Sequence, residues 1–171
     1  SFQLLSHPKG LGIAAWLITL STSGLVPGID RLGTFPSRPK LAISLNGSQD
    51  DYRSKIMPVN RVWNLSALKE SILRFPLGPR EWVTLEYVLL KDATDRPSDM
   101  QGLLRFAKDI PCKINLIPFN PHEGSGFETP SDSRISQCCQ ILAKTGLIVS
   151  VRRSRGQDIA GACGQLVREE D

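Results

Sequence analysis

The sequence predicts an α/β fold in which parallel strands alternate with helices, either as a covered open sheet or as a partial β/α barrel of the TIM type. Two observations carry this. Five runs of strand length, rich in Ile, Val and Leu, are spaced along the chain, and the longer intervals between them repeat apolar residues at helical spacing. A third observation sets the domain count: no internal repeat, low-complexity tract or linker divides the chain, so residues 1–171 read as one unit.

The first strand is expected over Leu17 to Ser23, inside the stretch Gly10 to Ile29, which carries no charged residue. That stretch is interrupted by Thr19, Ser21, Thr22, Ser23, Gly24, Pro27 and Gly28, so a buried strand followed by a loop fits better than a bilayer helix. Lys40 to Asn46 is the second strand. Asn64 then caps a helix with Leu65, Leu68, Ile72 and Leu73 on one side. Trp82 to Leu90 is the third strand, and Ser98, after Pro97, opens a helix carrying Met100, Leu103, Leu104 and Ala107. Cys112 to Ile117 is the fourth strand. A third helix begins near Ser133, repeats Ile135, Cys138, Cys139 and Leu142, and stops at Gly146; Leu147 to Arg152 is the fifth strand.

With 171 residues, 40% hydrophobic and 22% charged, the chain is long enough to bury a sizeable core. A net charge of +4 and a pI near 9.0 permit a nucleic-acid partner without demanding one. The four cysteines, Cys112, Cys138, Cys139 and Cys163, have neither the density of a secreted disulfide framework nor the spacing of zinc or iron-sulfur ligands. No metal site is therefore expected in this chain. The chain begins at Ser1, and no signal peptide follows. The expectation is a monomer in a reducing compartment, cytoplasmic or within an organelle, with no membrane partner. Cys138 and Cys139 both fall on the apolar side of their helix, which favours packing over a redox role. His7 and His122 lie far from each other and from other ligands, and read as loop or surface residues.

Strand alternation gives each strand two faces. Thr19, Ser21 and Ser23 share one face, as do Ala42, Ser44 and Asn46, Thr84 and Glu86, and Lys113 and Asn115. The opposite faces carry Ile18, Leu20, Leu41, Ile43, Leu45, Leu85, Ile114 and Leu116. A parallel sheet covered on both sides would be apolar on both faces, and a barrel filled only by its own side chains would be lined by bulky aliphatics. Small polar groups turned the same way from several strands point to an interior that hosts a polar ligand; the plainer alternative is a solvated face. Asn120, after Pro118, extends the row to the C-terminal rim, where β/α barrels bind their ligands.

One cysteine stands apart. Cys163 lies between Ala162 and Gly164, so its sulfur can be approached closely, and Arg152, Arg153 and Arg155 lie just upstream. A thiol beside a cationic approach suits chemistry on an anionic polymer, although a cysteine is more often a small buried hydrophobe.

Six blocks then occur in order: TLSTSGLVPGID (Thr19 to Asp30), LAISLNG (Leu41 to Gly47), KIMPVNR with the following Asn64 (Lys55 to Arg61), VTLEYVLL (Val83 to Leu90), PCKINLIPFNP (Pro111 to Pro121) and VRRSRGQDIAGACGQL (Val151 to Leu166). Through them the chain resembles the C-terminal half of the radical S-adenosylmethionine (SAM) enzymes that methylate carbon 2 of adenine in RNA. The resemblance is strongest over residues 19–166. It implies part of a radical SAM barrel, with SAM and, in the complete enzyme, a 4Fe-4S cluster as cofactors. Ribosomal or transfer RNA would be the substrate, and an electron donor would serve the cluster.

By the same resemblance Ser21, Ser44, Leu45, Asn46 and Asn120 would contact SAM, and Cys163 would be the cysteine that becomes methylated. Leu45 should point into the apolar side, leaving only its backbone for such a contact. The chemistry explains the cysteine. Carbon 2 of adenine is a poor nucleophile, whereas a thiolate can take a methyl group from SAM. In the family's scheme a second SAM is cleaved reductively, and a radical formed on the methylated sulfur group adds to the adenine. The C-x-x-x-C-x-x-C loop and Gly-Glu-Pro segment of the family do not occur in these residues, and neither does its second, resolving cysteine. Asn46 stands where histidine is common, Ser154 and Gly161 replace Thr and Ala, and Ala14-Ala15-Trp16-Leu17 replaces a basic stretch. The stretch alone is therefore expected to lack reductive cleavage. Two other classes compete: a non-catalytic RNA-binding module that keeps the arginines, and an unrelated α/β enzyme using Cys163 as an ordinary nucleophile, for which no His base stands in a recognisable motif.

Overall fold

The computed structural model describes residues 2–122 and 124–153. Five parallel strands, β1 (Thr19–Thr22), β2 (Lys40–Ser44), β3 (Val83–Leu89), β4 (Cys112–Pro118) and β5 (Ile148–Val151), form one sheet in the order of the chain. Sequential order separates the two architectures left open above. A doubly wound sheet reverses its strand order and places helices on both faces; an order that never reverses, with crossovers of one hand, places them all on one face, as a barrel does.

The helices follow that rule. Ile29 and Leu32 of α2 (Val26–Gly33), Leu68 and Ile72 of α4 (Leu65–Arg74), Met100, Leu103 and Phe106 of α5 (Pro97–Ala107), and Ile135, Cys138 and Leu142 of α6 (Asp132–Ala143) form one core with the inward residues of β2, β3 and β4. Strict alternation is clearest on β3, where Val83, Leu85, Tyr87 and Leu89 are buried and the residues between them are partly exposed.

The three helices read from the sequence are present with small shifts at their starts. Asn64 caps α4 by accepting a hydrogen bond from the Ala67 N–H at 3.0 Å. At α5 the Asp99 carboxylate accepts from the Arg96 N–H in the manner of a capping box, one turn ahead of the apolar stripe. The cap of α6 is Ser131 rather than Ser133, accepting from the Arg134 N–H. Cys138 is buried and Cys139 half-buried, as a packing role requires.

The segment following the first strand departs from the expectation of a buried strand and a loop. Residues 26–33 form α2, with Pro27 in the first turn where its missing N–H costs nothing. The helix buries only Ile29 and Leu32, too short an apolar period to stand out. Nor is β1 buried: it pairs only with β2 among the described residues, and most of its side chains stay exposed. Two further helices were not foreseen, α1 (Phe2–Ser6) and α3 (Asp50–Ile56). The one buried residue of α3 is Arg53, so it carries no apolar stripe to read. No helix among the described residues is long and apolar enough to cross a membrane.

Candidate functional site

Among the described residues, the face of the sheet turned away from the helices carries the polar row. Register sets Ser44 beside Glu86, Glu86 beside Asn115, and Asn115 beside Ser150, with Ser21 one step away on β1. The side chains bond across these strands. Ser21 Oγ donates to Glu86 Oε2 at 2.9 Å, Ser44 Oγ donates to the same oxygen at 3.3 Å, and the two hydroxyls lie 3.4 Å apart. On the far side Ser150 Oγ donates to Asn115 Oδ1, and the Arg152 guanidinium stands 3.9 Å from Glu86 Oε1. Glu86 is thus the hub of the row. It was visible as an acid in phase with hydroxyl-bearing positions, but the sequence offered no role for it.

At the carboxyl ends of β1 and β2 the chain turns sharply. Asn46 has φ 55°, in the left-handed region where asparagine is tolerated, and its Oδ1 accepts from the Val88 N–H at 3.2 Å, continuing the ladder beyond the end of β2. The Leu45 side chain is fully buried, as expected. Its N–H donates to the Glu86 carbonyl, and its own carbonyl accepts from both the Gly47 N–H and Arg53 Nε. The polar groups of Leu45 are therefore committed within the chain, and only its backbone surface is left for a ligand. Asn120 lies just beyond the end of β4, half-buried on the same rim.

Behind this rim sits Arg53, fully buried. Its guanidinium donates to the carbonyls of Leu45 and Ser23 and to Asn60 Oδ1, at 2.7 to 2.8 Å. Burial lowers its pKa to about 10, and the nearby Asp50 carboxylate opposes that shift. Asn60, also buried, belongs to the KIMPVNR block but had been given no role.

The remaining candidates lie elsewhere. His7 and His122 are both on the surface; the His122 ring lies 6.0 Å from that of Phe119. Burial pushes the Cys112 and Cys138 thiols up to about 11, so both stay protonated at neutral pH, and Cys138 Sγ donates to the Asp95 carbonyl. Among the described residues no cluster of His, Cys, Asp or Glu is arranged to hold a metal. Cys163 and Arg155 lie outside the described residues. Of the cationic run before Cys163, Arg153 donates to Asp132 Oδ1 at 2.7 Å.

No protein-family model matches the chain. Over 97% of its length it is 50% identical to a protein named dual-specificity RNA methyltransferase RlmN 2 from Myxococcus xanthus, covering 44% of that protein. It is 45% identical to the RlmN of Geobacter sulfurreducens, covering 46% of it. Among solved structures, a radical SAM methyltransferase from Sphaerobacter thermophilus superposes with a TM-score of 0.89 at 42% identity, over 94% of this chain and 47% of that one. A domain of pyruvate-formate lyase-activating enzyme from Bacteroides vulgatus shares the fold, with a TM-score of 0.63 at 19% identity. The chain spans about half the length of the curated relatives it matches. Over that half it is similar both to proteins named dual-specificity RNA methyltransferase RlmN and to a solved radical SAM methyltransferase.

Proposed function

We propose that residues 1–171 are the C-terminal part of an enzyme that moves a methyl-derived carbon from SAM, through Cys163, to carbon 2 of adenine in ribosomal or transfer RNA. The observation that carries this reading is the Ser21–Ser44–Glu86 group: hydroxyls and a carboxylate bonded together on one face of a parallel sheet, with Ser21 and Ser44 toward the carboxyl ends of their strands, where such folds bind ligands. The relatives named RlmN supply the reaction class.

The residues suit SAM, a zwitterionic nucleoside carrying a sulfonium. Ser21, Ser44, Asn46 and Asn120 would bind and orient it through hydrogen bonds, with the backbone of Leu45 as the surface beneath. When bound, SAM supplies the methyl group and the radical precursor. Cys163 would be the nucleophile that receives the first methyl group, its thiolate attacking the methyl carbon as the bond to the sulfonium breaks. Arg152 and Arg153 would face the phosphates of the RNA, for which the net charge of +4 is favourable.

A 4Fe-4S cluster does not suit the described cysteines: Cys138 is buried, Cys112 and Cys139 are partly buried, burial raises all three thiols, and they form no group arranged to hold a metal. In this proposal its ligands, the resolving cysteine and the contact with an electron donor belong to the upstream half of the enzyme. The setting would be the cytoplasm, where such RNAs mature, and the working form a monomer.

The test joins this chain to the upstream half of the Myxococcus xanthus relative. With SAM, the peptide containing Cys163 should gain a methyl group detectable by mass spectrometry, and adenine in RNA should be methylated at carbon 2. Cys163→Ala should abolish both. Ser44→Ala and Asn120→Ala should weaken SAM binding about tenfold, the size of one lost polar contact, while Cys163 remains an acceptor. Adenine methylation at the normal rate in Cys163→Ala would remove the methyl carrier, and the proposed chemistry with it.

A further inference from the structure

A buried arginine with no carboxylate bonded directly to it is costly. Desolvating a guanidinium costs several kcal/mol by general estimates, and an apolar residue of similar volume often serves stability equally well. Arg53 must therefore be read through what it bonds. The ladder between β1 and β2 ends at the pair Thr22 and Ile43. Immediately beyond it, Arg53 NH2 donates to the Ser23 carbonyl at 2.7 Å and Arg53 Nε donates to the Leu45 carbonyl at 2.8 Å. One planar fork replaces the missing rungs and sets the spacing of the two strand ends.

The fork is itself held from behind. Arg53 NH1 donates to Asn60 Oδ1, and Asn60 Nδ2 donates to the Asp50 carbonyl, to Asp50 Oδ1 and to Ser54 Oγ. Asp50 Oδ1 also accepts from the Leu65 N–H at the start of α4. Glycines leave room for the arginine on both strand exits. A Cβ on Gly24 would stand 3.2 Å from Arg53 NH2, at a φ of +104° that disfavours any side chain; a Cβ on Gly47 would stand 3.0 Å from Arg53 Cβ.

We infer that Arg53, braced by Asn60, is a positioning residue for the SAM site, setting the β1 and β2 exits so that Ser21, Ser44 and Asn46 meet one ligand. This deepens the proposed function and rests on it for the identity of the ligand. The anchoring itself does not depend on SAM.

Two measurements separate these points. In the 171-residue chain, Arg53→Lys and Arg53→Met should each speed amide exchange at Gly47 and Val88 at least tenfold, with Leu85 and Ile114 unchanged. In the chain joined to the upstream half, the same variants should bind SAM at least tenfold more weakly by calorimetry. Arg53→Lys, which retains the charge without the fork, should keep a thermal midpoint near that of the parent, and Asn60→Ala should reproduce both effects more weakly. Uniformly faster exchange throughout the sheet would reduce Arg53 to a general stabiliser and overturn the inference, as would unchanged local exchange or full SAM affinity in Arg53→Lys. If the unaltered joined protein binds no SAM, the proposed function fails, and a positive exchange result then upholds the anchor alone.

Discussion

Leu85 on β3 and Leu20 on β1 both point to the helix-covered face, yet Leu85 is fully buried and Leu20 stays 37% exposed. The same contrast recurs at the other margin, where Leu116 on β4 is fully buried and its registered neighbour Val151 on β5 is 37% exposed. Each pair compares aliphatic side chains that share one face of the sheet. What differs is the neighbourhood: central strands have a partner on either side and helices above, whereas β1 and β5 each pair on one side among the described residues. Leu20 instead lines a groove with Leu25, Ile29, Leu32 and Phe35. Burial is thus a property of a strand's place in the sheet and not of the residue type alone.

The sharpest way to break this comparison is to truncate matched leucines. Leu85→Ala should cost about 3 kcal/mol, because a filled core leaves a cavity, whereas Leu20→Ala should cost less than about 1 kcal/mol. Urea denaturation of the two variants decides it, and equal losses would mean that β1 is covered in solution.

A smaller effect is expected within α6. Cys138 is fully buried and bonded to the Asp95 carbonyl, while Cys139 is only half-buried. Cys138→Ala should lower stability by about 1–2 kcal/mol and Cys139→Ala by less than about 1 kcal/mol. Thermal unfolding of both variants should show that order, and the reverse order would refute the packing described for α6.

The smallest effect belongs to the link that ties α2, beside the marginal strand, to α4. Ser71 Oγ donates to Asp30 Oδ1 at 2.7 Å, and Arg74 bonds both oxygens of the carboxylate. The Ser71 hydroxyl is the largest single cause holding the Asp30 pKa below its ordinary value; burial opposes it, and the Arg74 cation adds to it. Because the folded value is depressed, the contribution to stability is complete above the unfolded carboxylate value and is lost as pH falls through the folded one. The side chain is 41% exposed, so solvent screening limits the contribution to less than about 1 kcal/mol. Asp30→Asn should lower stability at pH 7 by that amount, and the difference from the parent should vanish as pH falls below about 4, which flattens the acid limb of the profile. A larger change at pH 3 than at pH 7 would contradict the assignment.

Much of the candidate site was legible because side-chain direction along a strand has a period of two. That rule alone put Ser21, Ser44 and Glu86 on one face and turned Leu45 inward, and each holds in the folded chain. Asn120 and Cys163 were marked by local sequence, the one after Pro118 on the rim and the other between small residues, and the resemblance added their roles. Arg53 escaped because helices are recognised by apolar stripes, and α3 buries an arginine instead. Its meaning lies in two carbonyls that come from positions 23 and 45, just beyond the ends of two different strands.

The sequence by itself determined the alternation of strands and helices, the cap at Asn64, and the division of each strand into an apolar and a polar face. These are local, set by neighbours within a few residues. Only the tertiary structure decided that the sheet runs in chain order with its helices on one side, that β1 lies at the margin, and that Glu86 collects the hydroxyls of two other strands. Such facts depend on which strands adjoin and on their relative stagger. Loop closure and helix packing settle both, and neither leaves a period in the chain.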